Sequence, residues 1–147
     1  DYLQKQNRYK ESYAAYDSCL QYKNDNIYCM NNYAYYLSIN GGDLKKAEQM
    51  SFKTVQAEPK NATYLDTYAW ILFMQKRFTE AKIYVDQAIK NDTDSVLNSV
   101  ILEHAGDIHA QLGDTKTALY YWHKALKIGS GNTAILEKKI RLKKYIK

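Results

Sequence analysis

RFTEAKIYVDQAI, residues 77–89, carries a pattern that recurs along this chain. A small residue, Ala81, stands early in the stretch, and a second alanine, Ala88, stands near its end. Related stretches follow one another at a spacing of about 34 residues, the period of helical hairpin arrays. They are RYKESYAAYDSCL (8–20), DLKKAEQMSFKTV (43–55) and DTKTALYYWHKAL (114–126). Recurrence in register, more than any one copy, predicts stacked helix pairs.

The spacing of apolar residues is helical throughout. Leu65, Tyr68 and Leu72 recur at three- and four-residue steps, which places them on one helix face toward a core, whereas Trp70 and Phe73 fall on another face. Glycine, asparagine and proline interrupt the pattern where helices should end. We predict helices over residues 8–22, 27–39, 44–57, 62–75, 78–90, 96–111, 115–128 and 132–146.

The recurring pattern resembles the tetratricopeptide repeat (TPR) family. That family has a small residue early in the second helix of each repeat, an alanine near its end and a proline after it, as at Pro59. The resemblance implies an all-α, right-handed α-solenoid of antiparallel helix pairs with a C-terminal capping helix. It divides the chain into a partial repeat (1–26), three repeats (27–61, 62–98 and 99–131) and a basic capping helix (132–147). Residues 1–6 match only the end of a first helix, so we expect a C-terminal piece of a longer repeat protein.

Composition agrees with one compact domain. The chain has 147 residues, and its hydrophobic content of 46% is ordinary for a globular protein. No Ser-, Gly- or Pro-rich stretch marks a linker. No apolar run of about 18 residues is present to cross a bilayer, and the first residues lack the profile of a signal peptide.

The C-terminal segment 132–147 holds most of the charge imbalance. Its six basic residues and one acidic residue give it a net charge of +5, which equals the formal charge of the whole chain. A basic stripe can bind phosphates or an anionic membrane surface. Apolar residues at helical spacing favour a solvated capping helix instead, and these are Ile135, Leu136, Ile140, Leu142 and Ile146. Because the rest of the chain is neutral, we expect no nucleic-acid binding.

The first helix of each TPR repeat lines a concave groove in the family. Carried over by register, the resemblance places in that groove Tyr28, Asn31, Asn32, Tyr35, Ser38, Thr63, Asp66, Thr67, Trp70, Phe73, Glu103, His104 and Asp107. Aromatic rings with amides and hydroxyls suit an extended peptide or a partner helix. The alternative for Trp70 and Phe73 is that both rings pack against a neighbouring repeat.

One subgroup of the family grips the C-terminal carboxylate of chaperone tails. Asn32 matches the central asparagine of that clamp, but Asp1, Thr63 and Thr67 replace its other asparagine, lysine and arginine residues. The acidic residues of the groove would also repel a carboxylate. We therefore predict a basic or neutral partner segment.

An enzymatic function is not expected. The only histidines are His104, His109 and His123, and the first two are not spaced as metal ligands on one helix face. No phosphate-binding loop or nucleophile motif accompanies them, so we predict no catalysis, no cofactor and no metal. For Cys19 and Cys29, a buried thiol and a disulfide both stay open.

A closer resemblance runs through residues 33–37, 64–73 and 103–107 and the lysine-rich end. These strings are similar to the C-terminal repeats of exported TPR proteins from Bacteroidetes-type bacteria. The resemblance implies a bacterial cell-envelope setting, with the signal in a missing N-terminal region, and a cytoplasmic adaptor is the alternative. We predict a non-enzymatic scaffold that binds a peptide or partner segment. The alternative is a self-association module, in which the repeat edge or the basic helix packs on another copy or on an anionic surface.

Overall fold

The computed structural model describes residues 2–22, 26–92, 98–129 and 133–147. Within these ranges the chain forms eight helices and no strand, which confirms the predicted all-α class. The helices are α1 (Tyr2–Tyr22), α2 (Ile27–Ile39), α3 (Leu44–Ala57), α4 (Ala62–Met74), α5 (Phe78–Asn91), α6 (Ser99–Gln111), α7 (Thr115–Ile128) and α8 (Thr133–Leu142).

Successive helices stack in pairs. α2 contacts α3, α4 contacts α5 and α6 contacts α7, while α2, α4 and α6 also contact one another in chain order. The connections at 40–43, 75–77 and 112–114 are short, so each helix turns back on its predecessor. The first helices of the three pairs therefore form one continuous surface.

The core runs through the stack as three clusters. The central cluster joins α4, α5 and α6, a second joins α2 and α3, and a third surrounds Trp122 between α6, α7 and α8. Ala81 and Ala88, the small residues of the repeated stretch, are fully buried. Small side chains at these positions let the helix backbones approach closely, which explains why the pattern recurs.

Polar residues define where several helices begin. A side-chain oxygen accepts a hydrogen bond of 2.9–3.2 Å from a first-turn backbone N–H in five cases, at Asn26, Asp43, Asn61, Asn98 and Asp114. Each such cap contributes about 1 kcal/mol of helix stability.

Three helix ends differ from the prediction by more than one residue. α1 is one helix from Tyr2, so the expected break after residue 6 is wrong. α6 begins at Ser99, because Asn98 caps it, and the predicted start at residue 96 lies outside the described residues. α8 ends at Leu142, four residues early, because Lys143 adopts a left-handed backbone with φ 56°. The tail after Lys143 turns away from the helix axis.

Candidate functional site

The surface formed by α2, α4 and α6, here called the groove, contains two cavities. The first, the amide cavity, has a volume of about 250 Å³ and receives side chains from all three helices. Its lining is Asn31, Asn32, Tyr35, Thr63, Asp66, Thr67, Asn98, Val100 and Ile101. The second, the tail cavity, has a volume of about 290 Å³. Its lining is Tyr35, Trp70, Val100, Glu103, His104, Asp107, Ile135, Lys139, Tyr145, Ile146 and Lys147.

The amide cavity holds a buried acceptor that the fold leaves unsatisfied. Asn31 is only 4% exposed, and its Oδ1 has no hydrogen-bond partner among the described residues. A buried carbonyl without a partner costs about 1–3 kcal/mol. Native proteins rarely keep such groups without a partner, and a small rotation of the Asn31 side chain toward the amide cavity would let this oxygen accept a hydrogen bond from a ligand.

A buried ion pair separates the two cavities. His104 Nδ1 on α6 lies 3.0 Å from both carboxylate oxygens of Asp66 on α4, and both side chains are buried. Burial disfavours the charged imidazole, but the attraction of Asp66, with smaller contributions from Asp107 and Glu103, raises the pKa of His104 above its ordinary value. The pair ties two neighbouring repeats together across the floor of the groove.

Aromatic rings continue this floor. The His104 ring stacks on Trp70 at 4.0 Å between centroids, and Trp70 stacks on Phe73 at 4.5 Å. Trp70 lines the tail cavity, whereas Phe73 is covered by neighbouring rings. Packing against other elements, the alternative weighed for both rings, therefore accounts for most of their surface.

A second polar cluster lies beneath the tail cavity. Asp107 accepts hydrogen bonds from Trp122 Nε1 at 3.0 Å and from Lys139 Nζ at 2.8 Å, and the same ammonium lies 2.8 Å from Glu103 Oε2. Burial raises the pKa of Asp107 to about 6, although Lys139 and His104 favour its charged form. Burial also opposes the charge of Lys139, but Asp107 and Glu103 outweigh it and raise the lysine pKa.

Lys139 corrects two expectations drawn from the sequence. The basic residues of α8 are not all solvated, because this side chain is 3% exposed and faces the core of the stack. The acidic character expected of the groove is also wrong in part, since Lys139 compensates Glu103 and Asp107 while His104 compensates Asp66.

The tail after α8 folds back onto the groove. The Tyr145 ring meets Phe73 edge to face at 5.1 Å, and Lys139 Nζ lies 5.4 Å from the centre of the Tyr145 ring. Burial, together with Asp107 and Glu103, raises the pKa of Tyr145. Ile146 and Lys147 complete the wall of the tail cavity.

The predicted groove residues fall into three sets in the structure. Most line one or both cavities, and these are Asn31, Asn32, Tyr35, Thr63, Asp66, Thr67, Trp70, Glu103, His104 and Asp107. Tyr28 is 69% exposed and lines neither cavity. The Ser38 side chain is fully buried, and its hydroxyl donates to the backbone carbonyl of Tyr35 at 2.6 Å. It therefore bonds to its own helix and lines neither cavity. Phe73 is buried beneath Tyr145.

Several lining residues escaped prediction. Ile101 precedes His104 by one helical turn, so helical spacing back from the predicted positions would have found it. Asn98 was hidden because the start of α6 was placed too early. Lys139 and Tyr145 carry no signal in sequence spacing, since the packing of α8 brings Lys139 to the groove and the fold-back of the tail brings Tyr145 there.

The remaining predictions concern His109, metal binding, membrane spans and the cysteines. His109 lies 3.2 Å from Asp86, on a different face from His104. No group of three metal-ligating side chains occurs among the described residues. No helix in the described ranges is long and apolar enough to cross a membrane. The side chain of Cys19 lies outside the described residues, as does Asp1.

Known structures share this architecture. The TPR protein YrrB, whose peptide-binding site is described as unusual, superposes with a TM-score of 0.69 at 18% identity. The chain has the TPR fold. The superposition covers 88% of this chain and 64% of YrrB, so the chain spans less than two thirds of that protein.

Two other TPR-fold structures agree with this assignment. MamA superposes with a TM-score of 0.68 at 16% identity, over 97% of this chain and 86% of its own. The N-terminal domain of stress-induced protein-1 from C. elegans superposes with a TM-score of 0.57 at 21% identity, over 78% of this chain and 96% of that domain. No family model matches the sequence, and no curated protein matches it. The TPR solenoid predicted from the repeats is confirmed at the level of the fold.

Proposed function

We propose that this chain is a non-enzymatic scaffold that holds an extended segment of a partner protein in the groove. TPR folds serve in general as protein-interaction modules, and YrrB, which shares the fold, is described as having a peptide-binding site. The proposed contact residues are the predicted groove residues that line the two cavities. The repeat boundaries 27–61, 62–98 and 99–131 remain part of the same proposal.

The unsatisfied Oδ1 of Asn31 is the observation that carries this proposal. An extended peptide presents a backbone N–H at every non-proline residue, and a buried amide oxygen gains a full hydrogen bond by accepting one. Asn32, Thr63 and Thr67 place further amide and hydroxyl groups around the same cavity. A peptide N–H in this cavity would give the acceptor a partner, which would contribute to the free energy of binding.

The charge pattern favours a neutral or weakly basic segment. Asp66 is paired with His104, and Asp107 with Lys139, so neither acid is an open anchor for a strongly cationic partner. An acidic segment or a free C-terminal carboxylate would still meet Glu103, whose side chain is 23% exposed. Backbone recognition by amides, more than ion pairing, is therefore the proposed source of affinity.

The histidine–aspartate pair supports binding over catalysis. Asp66 occupies His104 Nδ1, and Trp70 covers the face of the imidazole ring. This arrangement holds two repeats in register and leaves the imidazole little access to a substrate. We propose a structural role for the pair.

The test is selection of peptides from a random library on the full chain, followed by calorimetry with the synthetic hits. We expect Asn31→Leu to weaken binding about tenfold or more, which corresponds to about 1.4 kcal/mol. Gln56→Leu, an exposed site on α3, is the matched control and should bind as the wild type does.

Two outcomes would contradict the proposal. Selected peptides that bind the wild type and Asn31→Leu equally would place the interaction outside the amide cavity. If no peptide is selected and sedimentation shows a concentration-dependent dimer that Asn31→Leu disrupts, the groove serves self-association instead.

A further inference from the structure

The tail after α8 occupies part of the groove, where Tyr145, Ile146 and Lys147 line the tail cavity. Tyr145 places its ring edge to face against Phe73, and Lys139 Nζ lies below the ring at a distance suited to a cation–π contact. Phe73 belongs to α4 and Lys139 to α8, the helix that precedes the tail, so the slot that holds the ring is built by residues outside the tail. The tail supplies only the occupant.

The tail lies at the surface of the groove. Tyr145 and Ile146 are half-buried, whereas Lys144 and Lys147 are exposed. Two surface clefts flank the tail, the tail cavity and a smaller one of about 150 Å³ next to Phe73 and Phe78, and Tyr145 lines both. Because a half-exposed segment buries less apolar area than the core residues beneath it, its displacement costs less free energy than opening the helices.

A left-handed turn closes α8 and returns the tail to the groove. Lys143 has φ 56°, a conformation that glycine adopts most readily, and the Lys144 N–H donates to the Lys139 carbonyl at 3.3 Å, a bond that caps the C-terminus of a helix. This cap involves residues 139–144 and does not include Tyr145, so α8 can keep its end when the tail leaves the slot.

We infer that the C-terminal half of the groove is a site for a segment carrying an aromatic ring, and that the chain's own residues 144–147 fill it until a partner segment displaces them. The occupant seen in the structure defines the chemistry: a ring between Phe73 and Lys139, followed by an apolar and a basic residue. The inference rests on the proposed function, because displacement needs a partner that enters the groove.

The experiment uses the full chain with Tyr145→Ala, which empties the slot and leaves Lys139 in place. A synthetic peptide with the sequence of residues 143–147, KKYIK, is titrated while the NMR signals of Trp70 and His104 are followed. A tethered tail acts at an effective concentration of the order of mM, so the titration extends to about 10 mM. We expect saturable shifts in Tyr145→Ala that move these signals toward their wild-type positions.

Matched variants and peptides control the titration. The wild type and Tyr145→Phe, which keep a ring in the slot, should shift little, as should Tyr145→Ala with the peptide KKAIK. Tyr120→Ala, which removes an exposed tyrosine from α7, should behave as the wild type. Absence of saturable shifts in Tyr145→Ala, or equal shifts in the wild type, would overturn the inference.

The library-selected peptides distinguish this inference from the proposed function. If the tail competes with partners, Tyr145→Ala should bind peptides that carry an aromatic residue several-fold more tightly than the wild type. Affinity unchanged by Tyr145→Ala but lost in Asn31→Leu would overturn the tail competition while leaving the proposed function intact. If Asn31→Leu and Tyr145→Ala both bind the selected peptides as tightly as the wild type does, the proposed function is contradicted.

Discussion

The two halves of the groove differ in how their buried polar groups are satisfied. In the amide cavity, Asn31 Oδ1 is buried without a partner. Beneath the tail cavity, Asp107 has two donors, Trp122 and Lys139, and Tyr145 closes the surface above them. In the amide cavity, a ligand could supply the missing hydrogen-bond donor. Beneath the tail cavity, Trp122 of α7 and Lys139 of α8 already supply the donors. The paired polar groups that stabilise the fold are thus concentrated at one end of the groove, and the unpaired acceptor lies at the other.

The largest expected effect comes from removing the lysine that completes the second half. Lys139→Met leaves Asp107 and Glu103 without their shared cation, and breaking a buried pair costs about 3 kcal/mol of unfolding free energy. Because the pKa of Asp107 is about 6 even with Lys139 present, the carboxyl can protonate in mild acid. Urea unfolding should therefore show a larger loss at pH 8 than at pH 5.

The adjacent Lys138→Met provides the control for this variant. Lys138 is exposed on the same helix, so its replacement should change stability by less than about 0.5 kcal/mol. Equal losses in the two variants would mean that the ion pairs with Glu103 and Asp107 contribute nothing specific.

A smaller loss is expected from filling the contact between α6 and α7. A Cβ at Gly106 would overlap the indole ring of Trp122, which is fully buried and donates to Asp107. Gly106→Ala should cost about 2 kcal/mol, a typical overpacking penalty, although alanine favours the helix itself. Thermal unfolding measures the loss. A stabilised Gly106→Ala would show that Trp122 can move without loss of its bond to Asp107.

The ion pair between the two halves should make stability depend on pH. The pKa of His104 is raised above the unfolded value of 6.5, so its stabilising contribution is complete below about pH 6.5 and is lost as pH rises through the folded pKa. Asp66→Asn removes the attraction and should cost about 1.5 kcal/mol at pH 6 and less at pH 9. Unfolding curves at both pH values measure this difference. A constant loss across this range would show that the charge of His104 does not change between these two pH values.

The smallest effect on stability, and of opposite sign, is expected in the amide cavity. Asn31→Leu replaces an unsatisfied buried amide with an apolar group of similar size, so unfolding free energy should stay within about 1 kcal/mol of the wild type or rise. Asn61→Ala is a useful contrast, because that asparagine caps α4 with a 3.1 Å hydrogen bond and its loss should cost about 1 kcal/mol. A large loss in Asn31→Leu would indicate a structural role for that amide.

The sequence predicted the helix pairs and most of the residues that line the two cavities, because both follow from short-range periodicity. The bounds of α2 and α3 match the prediction, since Asn26 and Asp43 give local capping signals. The end of α8 was missed because nothing in the local sequence marks Lys143 for a left-handed turn. Ser38 was misplaced because register identifies a position on a helix without specifying how deeply it is buried.

By itself, the sequence determined the all-α class and the pairing of the helices, and it named most of the predicted residues that line the two cavities, because small and apolar residues recur at helical spacing. Tertiary structure alone decided which charges in the groove remain free. Lys139 meets Glu103 and Asp107 across separations of 36 and 32 residues, and His104 meets Asp66 across 38. Such pairings depend on the stacking of whole repeats, which periodicity along the chain does not encode.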